Sequence, residues 1–459
     1  MQSGTLKYCP EEWVKSSGFL DGDTMLPQWI IEKKRDGQAL TREEIEYFIT
    51  GFTRGDIPDY QMSALAMAIC FRGMNAEETG LLTHAMMNSG SLLNTSTVEG
   101  FKCDKHSTGG IGDKVSIILA PLAAACGLIV PSSAGRGLGI SGGTYDKLCS
   151  IPGYNADLSE DRFLEVLRRC GCSLIGQTET LVPADKKLYA LRDVTATVPV
   201  IPLIVSSIMS KKLAEGLDGL VLDVKVGKGA FMRTPERARE LAENMVAVGR
   251  SMGKKVRALI TDMDEPLGRC VGNALEIEES LDILEGRASG GDLLEVTLEL
   301  GAAMLETTGK YGSRAEAHAR MKAALDSGKA REKFFDMVRL HGGDCAALEK
   351  PRRLPRAAIV KPLECPGAGF VSGVDAELVG RACLLLGAGR VLVADKIDYA
   401  VGISELVKSG EQVAKGQPLM RVHANDEKRL AEAWPLLEAA VRVSAQQPAA
   451  RRLFLDEVS

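Results

Sequence analysis

Aromatic residues make up only 5% of the 459-residue chain, too few for the stacked platforms that hold single-stranded nucleic acid. Positive charge is not in excess either. The 56 Lys and Arg against 61 Asp and Glu leave a net charge of −5 and a pI near 5.8, so no basic stripe is expected to attract a polyanion. Nucleic acid is therefore not an expected partner. No apolar run reaches the ~20 residues that span a bilayer, and residues 1–22 mix Lys7, Glu11, Glu12 and Lys15 with few apolar positions and no signal-peptide core. A cytoplasmic protein with no membrane partner is expected. Eleven cysteines, an odd number, are scattered without CxxC spacing, and several, such as Cys70 and Cys126, have apolar neighbours. That pattern predicts reduced, mostly buried thiols. The five histidines show neither HxxxH nor HExxH spacing, so no metal is expected.

What is present reads as an ordinary globular chain, 45% hydrophobic and 25% charged, long enough for about two to four domains. The first section is helical. Thr41 and Glu44 form a capping box before Ile45, Phe48 and Ile49, Pro58 opens the next helix, whose apolar run stops at Gly73, and Asn75 with Glu78 repeats the cap. The pattern then becomes strand, glycine turn and helix: a strand over 101–105, a turn over 106–112, a helix over 115–125, and a short strand starting at Leu128. Further strands are predicted over 219–226 and 256–261, with a helix opened by Thr234 and Pro235 between them. Such alternation predicts an α/β domain with a largely parallel central sheet. Pro351, Pro355 and Pro362 suggest a linker, and a third domain is expected from near Cys365, where Gly410 and Gly416 punctuate hairpins of barrel-sandwich type.

Three clusters carry chemistry. In the run from Lys105 to Lys114, glycines after an apolar strand let backbone N–H groups approach an anion, Ser107 and Thr108 add hydroxyls, Lys105 adds charge, and a helix follows. This is a phosphate loop without the Gly-Lys-Ser/Thr ending of a Walker motif. A second loop spaces Gly137, Gly139 and Gly142 as GxGxxG, with Asp157 beyond. Pro152 and Gly153 break the chain before a Rossmann helix could form, so a dinucleotide is not expected. The third cluster is Tyr189 and Arg192 with Ser207 and Lys211, the last two on one face if residues 204–217 are helical. Together they suit a planar ring with carbonyl oxygens and an acidic N–H, although a solvated face of salt bridges would read the same way.

The succession Lys-His-Ser-Thr-Gly-Gly, Gly-Arg-Gly-Leu-Gly, Gly-Gly-Thr-x-Asp-Lys-Leu, Arg-Asp-Val-Thr-Ala-Thr, Ser-Lys-Lys-Leu-Ala-Glu-Gly and Asp-Val-Lys-Val-Gly-x-Gly-Ala-Phe resembles the thymidine and pyrimidine-nucleoside phosphorylase family over residues 25–423. The resemblance implies a helical dimerisation domain (1–89 and 184–216), an α/β phosphate-binding domain (90–183 and 217–350) and a C-terminal α+β domain (351–459). It implies a homodimeric pentosyltransferase that cleaves thymidine, uridine or deoxyuridine with phosphate into a free base and a pentose 1-phosphate, with no cofactor.

By matching position, His106, Arg192 and Lys211 would be catalytic, and Tyr189, Ser207, Leu138, Val198, Phe231 and Met232 would line the nucleoside site. Lys105, Ser107, Ser116 and Thr144 would bind phosphate. His106 would protonate or hydrogen-bond the pyrimidine O2. The chain departs from the family pattern at Ala134, where a serine is usual, and at Ile140, where a histidine is usual. Cys149 and Pro199 stand where acidic residues are common. Some members hold a monovalent cation here; Glu279 is kept, but Lys114 occupies a ligand position, so its ammonium could replace the ion. The alternatives are an anthranilate-type phosphoribosyltransferase and a diverged nucleoside-binding protein or hydrolase.

Overall fold

The computed structural model describes residues 25–137, 139–140, 142–177, 180–287, 290–392 and 394–459. The expected Leu138 contact therefore lies outside the described residues. The chain opens with helices α1 (Pro27–Arg35), α2 (Arg42–Arg54), α3 (Asp59–Arg72) and α4 (Ala76–Met87). Both predicted capping boxes form: the side chains of Thr41 and Asn75 accept from the first-turn N–H groups of Glu44 and Glu78, whose carboxylates reach back to the cap N–H groups. On α3, Met62, Leu65, Ala66 and Ile69 make the buried stripe. Cys70 falls one step beyond it and is exposed, contrary to its apolar neighbours' suggestion.

Strand β1 (Cys103–Ser107), α5 (Val115–Ala125), β2 (Val130–Ala134), α6 (Thr144–Cys149), α7 (Glu160–Cys170) and β3 (Cys172–Gly176) follow, then α8 (Pro183–Val194) and α9 (Ile201–Ala214). β4 (Gly219–Val226), α10 (Pro235–Ser251) and β5 (Lys255–Asp262) lead to α11 (Asn273–Leu284), α12 (Asp292–Thr307), α13 (Arg314–Asp326), α14 (Lys329–Leu340) and α15 (Cys345–Leu348). The chain ends with β6 (Ile359–Glu364), β7 (Gly369–Val374), α16 (Ala376–Leu386), β8 (Gly402–Ser404), β9 (Gln412–Val413), β10 (Pro418–Ala424), α17 (Glu427–Ala440), β11 (Val441–Ser444) and β12 (Phe454–Val458).

Helices α8 and α9 pack on α2–α4, while the strands form the order β3-β2-β1-β4-β5-β12 once the Lys102–Ile129 bridge joins the β2-β3 pair to β1. The five strands from β3 to β5 are parallel, and β12 closes one edge antiparallel to β5. Helices α5, α12, α13 and α14 cover one side with apolar side chains such as Ile117, Leu298, Met321 and Phe334. A second core between the sheet and α9 and α10 is built from Val205, Met209, Leu222, Val224, Leu241 and Met245. Burial of this kind contributes ~25 cal/mol per Å² of apolar surface.

Three expectations shift. His106 and Ser107 belong to β1 rather than to the turn, because the strand runs in register beside β4 from Cys103–Gly219 to Ser107–Asp223. The proposed linker contains β6, so the C-terminal unit is structured before Cys365. Pro362 is tolerated there because β6 is the edge of the β6-β10-β8 sheet and has a neighbour on one side only. Finally, β12 does not stay with the C-terminal sheets but returns to the central one.

Candidate active site

Parallel strands leave their carboxyl ends at one edge of the sheet, and the loops that follow β1 and β2 lie there. The first loop is fastened to β4: Thr108 donates its N–H to the Asp223 carbonyl at 3.0 Å, and its hydroxyl accepts from the Lys225 N–H at 2.9 Å. The Ser107 hydroxyl accepts from the Gly109 N–H at 3.1 Å, and Gly109 has φ +95°, a backbone that glycine supplies without a Cβ penalty. The Phe231 ring, half exposed, stands over this glycine.

Beneath the loop lies a set of buried charges. Lys105 sits 3.8 Å from Asp113 and 3.9 Å from Asp223, and Lys225 lies 2.7 Å from Asp223 and 3.1 Å from the Thr261 hydroxyl. Asp223 and Lys225 are two apart in a strand and so share a face. Burial alone would push the Asp113 carboxyl up, but Lys105, Lys225, the Ser107 hydroxyl and Lys147 hold it well below the usual carboxylate range. Lys147 donates to the Asp113 carbonyl and pairs with Glu276, each at 2.6 Å. Sequence reading treated Asp223 and Lys225 as strand interior; two opposite charges inside an otherwise apolar run were the available signal. Ser116 is partly buried on α5, and Thr144 opens α6.

Lys114 does not face the loop. Its ammonium, fully buried, donates to the Leu267 carbonyl at 2.8 Å, the Cys270 carbonyl at 2.9 Å and Glu279 at 2.7 Å. Burial opposes the charge, but Glu279 and Glu276 outweigh it and raise the Lys114 pKa.

Helices α8 and α9 supply the other wall. Lys211 pairs with Asp185 and donates to the Ser207 hydroxyl at 2.9 Å, so the predicted helical spacing is realised on a helix that starts and ends three residues earlier than expected. Asp185, whose second oxygen is buried without a hydrogen bond, escaped sequence reading. Arg192 is 1% exposed and donates to three backbone carbonyls, Thr197 at 3.2 Å, Leu203 at 2.9 Å and Val198 at 2.6 Å. Two of its five N–H groups remain after those bonds. Burial lowers its pKa. Its guanidinium lies 5.8 Å from the Tyr189 ring, which is 37% exposed. Val198 is half-buried, whereas Met232, 3% exposed, packs into the core between α9 and α10 rather than presenting an apolar wall.

The two walls are joined by Lys212. It reaches from α9 to Asp104 on β1 at 2.7 Å, the Ser133 carbonyl on β2 at 3.1 Å and Glu215 at 2.7 Å. Burial raises the Glu215 carboxyl to about 7 against the pull of Lys212. His106 lies in this field: burial first, then Lys212, Lys211 and Lys105, hold its pKa well below the ordinary histidine value. The imidazole is therefore neutral near pH 7 and acts as a hydrogen-bond donor or acceptor, which favours the second of its two expected roles.

No group of three or more His, Cys, Asp or Glu gathers in metal-binding geometry among the described residues, and no described helix is long and apolar enough to cross a membrane. The helical bundle domain of the glycosyl transferase family matches residues 28–90, the family's a/b domain matches 99–331, and the pyrimidine nucleoside phosphorylase C-terminal domain matches 370–444. The pyrimidine-nucleoside phosphorylase of Geobacillus stearothermophilus is 47% identical over 430 residues, covering 94% of this chain and 99% of that one. That of Bacillus subtilis is 50% identical over 398 residues, 87% of this chain and 92% of its own. The anthranilate phosphoribosyltransferase of Thermus thermophilus shares the fold at a TM-score of 0.56 and 18% identity, over 68% of this chain and 99% of that structure. With the α/β domain, the bundle and the C-terminal unit all matched, the chain belongs to the glycosyl transferase family and, within it, to the pyrimidine-nucleoside phosphorylases.

Proposed function

We propose that this protein cleaves pyrimidine nucleosides with inorganic phosphate in the cleft between α8–α9 and the carboxyl edge of the sheet. The observation that carries the reading is the Lys211–Ser207 pair with Arg192 on one wall, facing a glycine loop backed by Lys105 on the other, with a neutral His106 in the field of both. A phosphate oxygen bonds to C1′ as the C1′–N1 bond breaks, and the bond's electron pair leaves with the pyrimidine. Lys211 and the two remaining N–H groups of Arg192 stabilise that developing anion, which is where a preorganised donor contributes most. Ser207 and Tyr189 orient the ring, and His106 donates to O2. Lys105, Ser107, Ser116 and Thr144 hold phosphate. Lys114 stands where a monovalent cation would otherwise sit. The enzyme works as a cytoplasmic homodimer.

The second loop sets the phosphate affinity. Ala134 ends β2 without a hydroxyl, and its neighbour Ser133 donates its own to Glu215 at 2.5 Å, so Ser133 is not free to substitute. A lost bond to a charged group costs ~1.5–3 kcal/mol, about tenfold to hundredfold in affinity. Nucleoside cleavage should be absent in phosphate-depleted buffer and appear on phosphate titration with a high KM, which Ala134→Ser lowers without moving the nucleoside KM. Full cleavage without phosphate would eliminate phosphorolysis.

A further inference from the structure

The C-terminal region sends one side chain into the second glycine loop. Arg390 follows α16 in the sequence Gly387-Ala388-Gly389-Arg390 and is 8% exposed. Its guanidinium places Nη2 at 3.0 Å and Nε at 3.3 Å from the Gly137 carbonyl, both donating. Its own carbonyl accepts from the Gly139 N–H at 3.0 Å. From the opposite side, the Gly137 N–H donates to the Asp146 carboxylate on α6 at 2.6 Å. The two polar groups of Gly137 are thus fixed by charged side chains from different parts of the chain, and charge-assisted bonds of this kind are about twice as strong as neutral ones.

Packing gives the loop little slack. A Cβ on Gly143 would fall 2.2 Å from the Gly137 nitrogen, one on Gly389 would fall 3.1 Å from the Gly139 oxygen, and one on Gly380 of α16 would fall 3.1 Å from the Ile140 oxygen. Arg136, at the outer edge, is exposed; it donates to the Tyr145 hydroxyl at 2.9 Å and lies 4.4 Å from that ring's centre.

We infer that Arg390 is a positioning residue for phosphorolysis: from the C-terminal region it fixes the second glycine loop at Gly137, so that the loop's substrate-facing shape depends on the docking of that region. The inference rests on the reading of this loop as part of the phosphate site. The side chain acts through the Gly137 carbonyl, and its removal takes away both bonds to that carbonyl, while Asp146 still holds the Gly137 N–H and the carbonyl of residue 390 still accepts from the Gly139 N–H.

The test uses the full-length protein with Arg390→Ala, Arg390→Gln and Arg390→Lys. Arg390→Ala should raise the phosphate KM by about tenfold or more, the factor for losing a charge-assisted bond, while the nucleoside KM changes little. Arg390→Lys, which retains one cationic donor, should recover part of the loss. An independent readout is limited trypsin digestion: cleavage after Arg136 should be about tenfold faster in Arg390→Ala than in the wild type. If Arg390→Ala does not fold, the Gln and Lys variants carry the same comparison. An unchanged phosphate KM with unchanged cleavage after Arg136 would overturn the inference, as would a uniform fall in both affinities and turnover that follows the thermal midpoint. A wild-type protein without phosphorolysis would instead defeat the functional reading, and the digestion alone would then decide whether Arg390 clamps the loop.

Discussion

A lysine that touches one carboxylate and one hydroxyl, and an arginine whose guanidinium is shared among three backbone carbonyls, respond differently to removal. Lys211→Ala should cut turnover by roughly a few hundredfold, the ~3 kcal/mol typical of a lost electrostatic donor. Arg192→Ala should do the same and also destabilise the fold, because the Thr197 carbonyl loses its donor at about 1–3 kcal/mol for a buried group left unpaired, while the Val198 carbonyl keeps the Val200 N–H and Leu203 lies within α9. Thermal unfolding beside steady-state kinetics separates the two, and an Arg192→Ala protein of unchanged stability would show that the brace is dispensable. Sequence spacing placed both residues at one site, but not this division of labour, since backbone carbonyls leave no mark on residue identity. His106 makes a pH prediction. Its native pKa is depressed by burial and three lysines, so between that value and its ordinary value near 6.5 the unfolded chain binds a proton that the native site refuses. Stability from this residue is complete above about pH 6.5 and declines as pH falls below it. The kcat/KM profile should show no histidine step near pH 6.5, and a step there that vanishes in His106→Gln would contradict a neutral donor.

Among the elements, those with a local signal were legible: two capping boxes, the β4 strand and the α5 and α10 helices all stand within a residue of where the pattern put them. Strand β6 was missed because Pro362 within it is compatible with an edge strand only once the neighbours are known. The joining of Lys114 to Glu279 and to the segment before α11 is a tertiary fact, which the family resemblance implied and local pattern did not. Two carbonyls and a carboxylate surrounding one ammonium form a cation site with the cation tethered. Activity should accordingly be indifferent to potassium against sodium at fixed ionic strength. Lys114→Ala leaves the partly buried Glu279 carboxylate with the Arg269 and Cys270 N–H groups but without its cation, at a cost of about 1.5–3 kcal/mol for a lost charged hydrogen bond. Potassium should then restore part of the thermal stability of that variant and not of the wild type. Saturable activation of the wild type by potassium would remove this account.

At the scale of the molecule, the order of helical bundle, α/β sheet and C-terminal unit was visible in the changing hydrophobic period, whereas the return of β12 to β5 joins residues about two hundred apart and has no local signature. The same scale decides how the chain associates. Large apolar side chains are mostly buried, but Trp29 on α1, Phe71 and Tyr60 on α3 and Val194 on α8 are 48%, 79%, 74% and 80% exposed. Helices α1 and α3 pack on each other, and α3 packs on α8, so these side chains sit on one connected group of helices. Apolar surface left on a bundle of this kind marks an interaction site, and a second copy of the chain is the partner that the proposed homodimer supplies. Centrifugation at micromolar concentration should give twice the 49.2 kDa chain mass. Phe71→Glu should shift it to the monomer, because an unpaired carboxylate buried in an interface costs several kcal/mol, and it should do so without lowering the monomer's thermal stability, since the side chain is exposed in the single chain. Cys70, exposed beside Phe71, gives a second readout: its alkylation should be slow in the wild type and fast in Phe71→Glu. A wild-type protein that sediments as a monomer, with Cys70 reacting at the rate of a free surface thiol, would show that these helices do not form the contact.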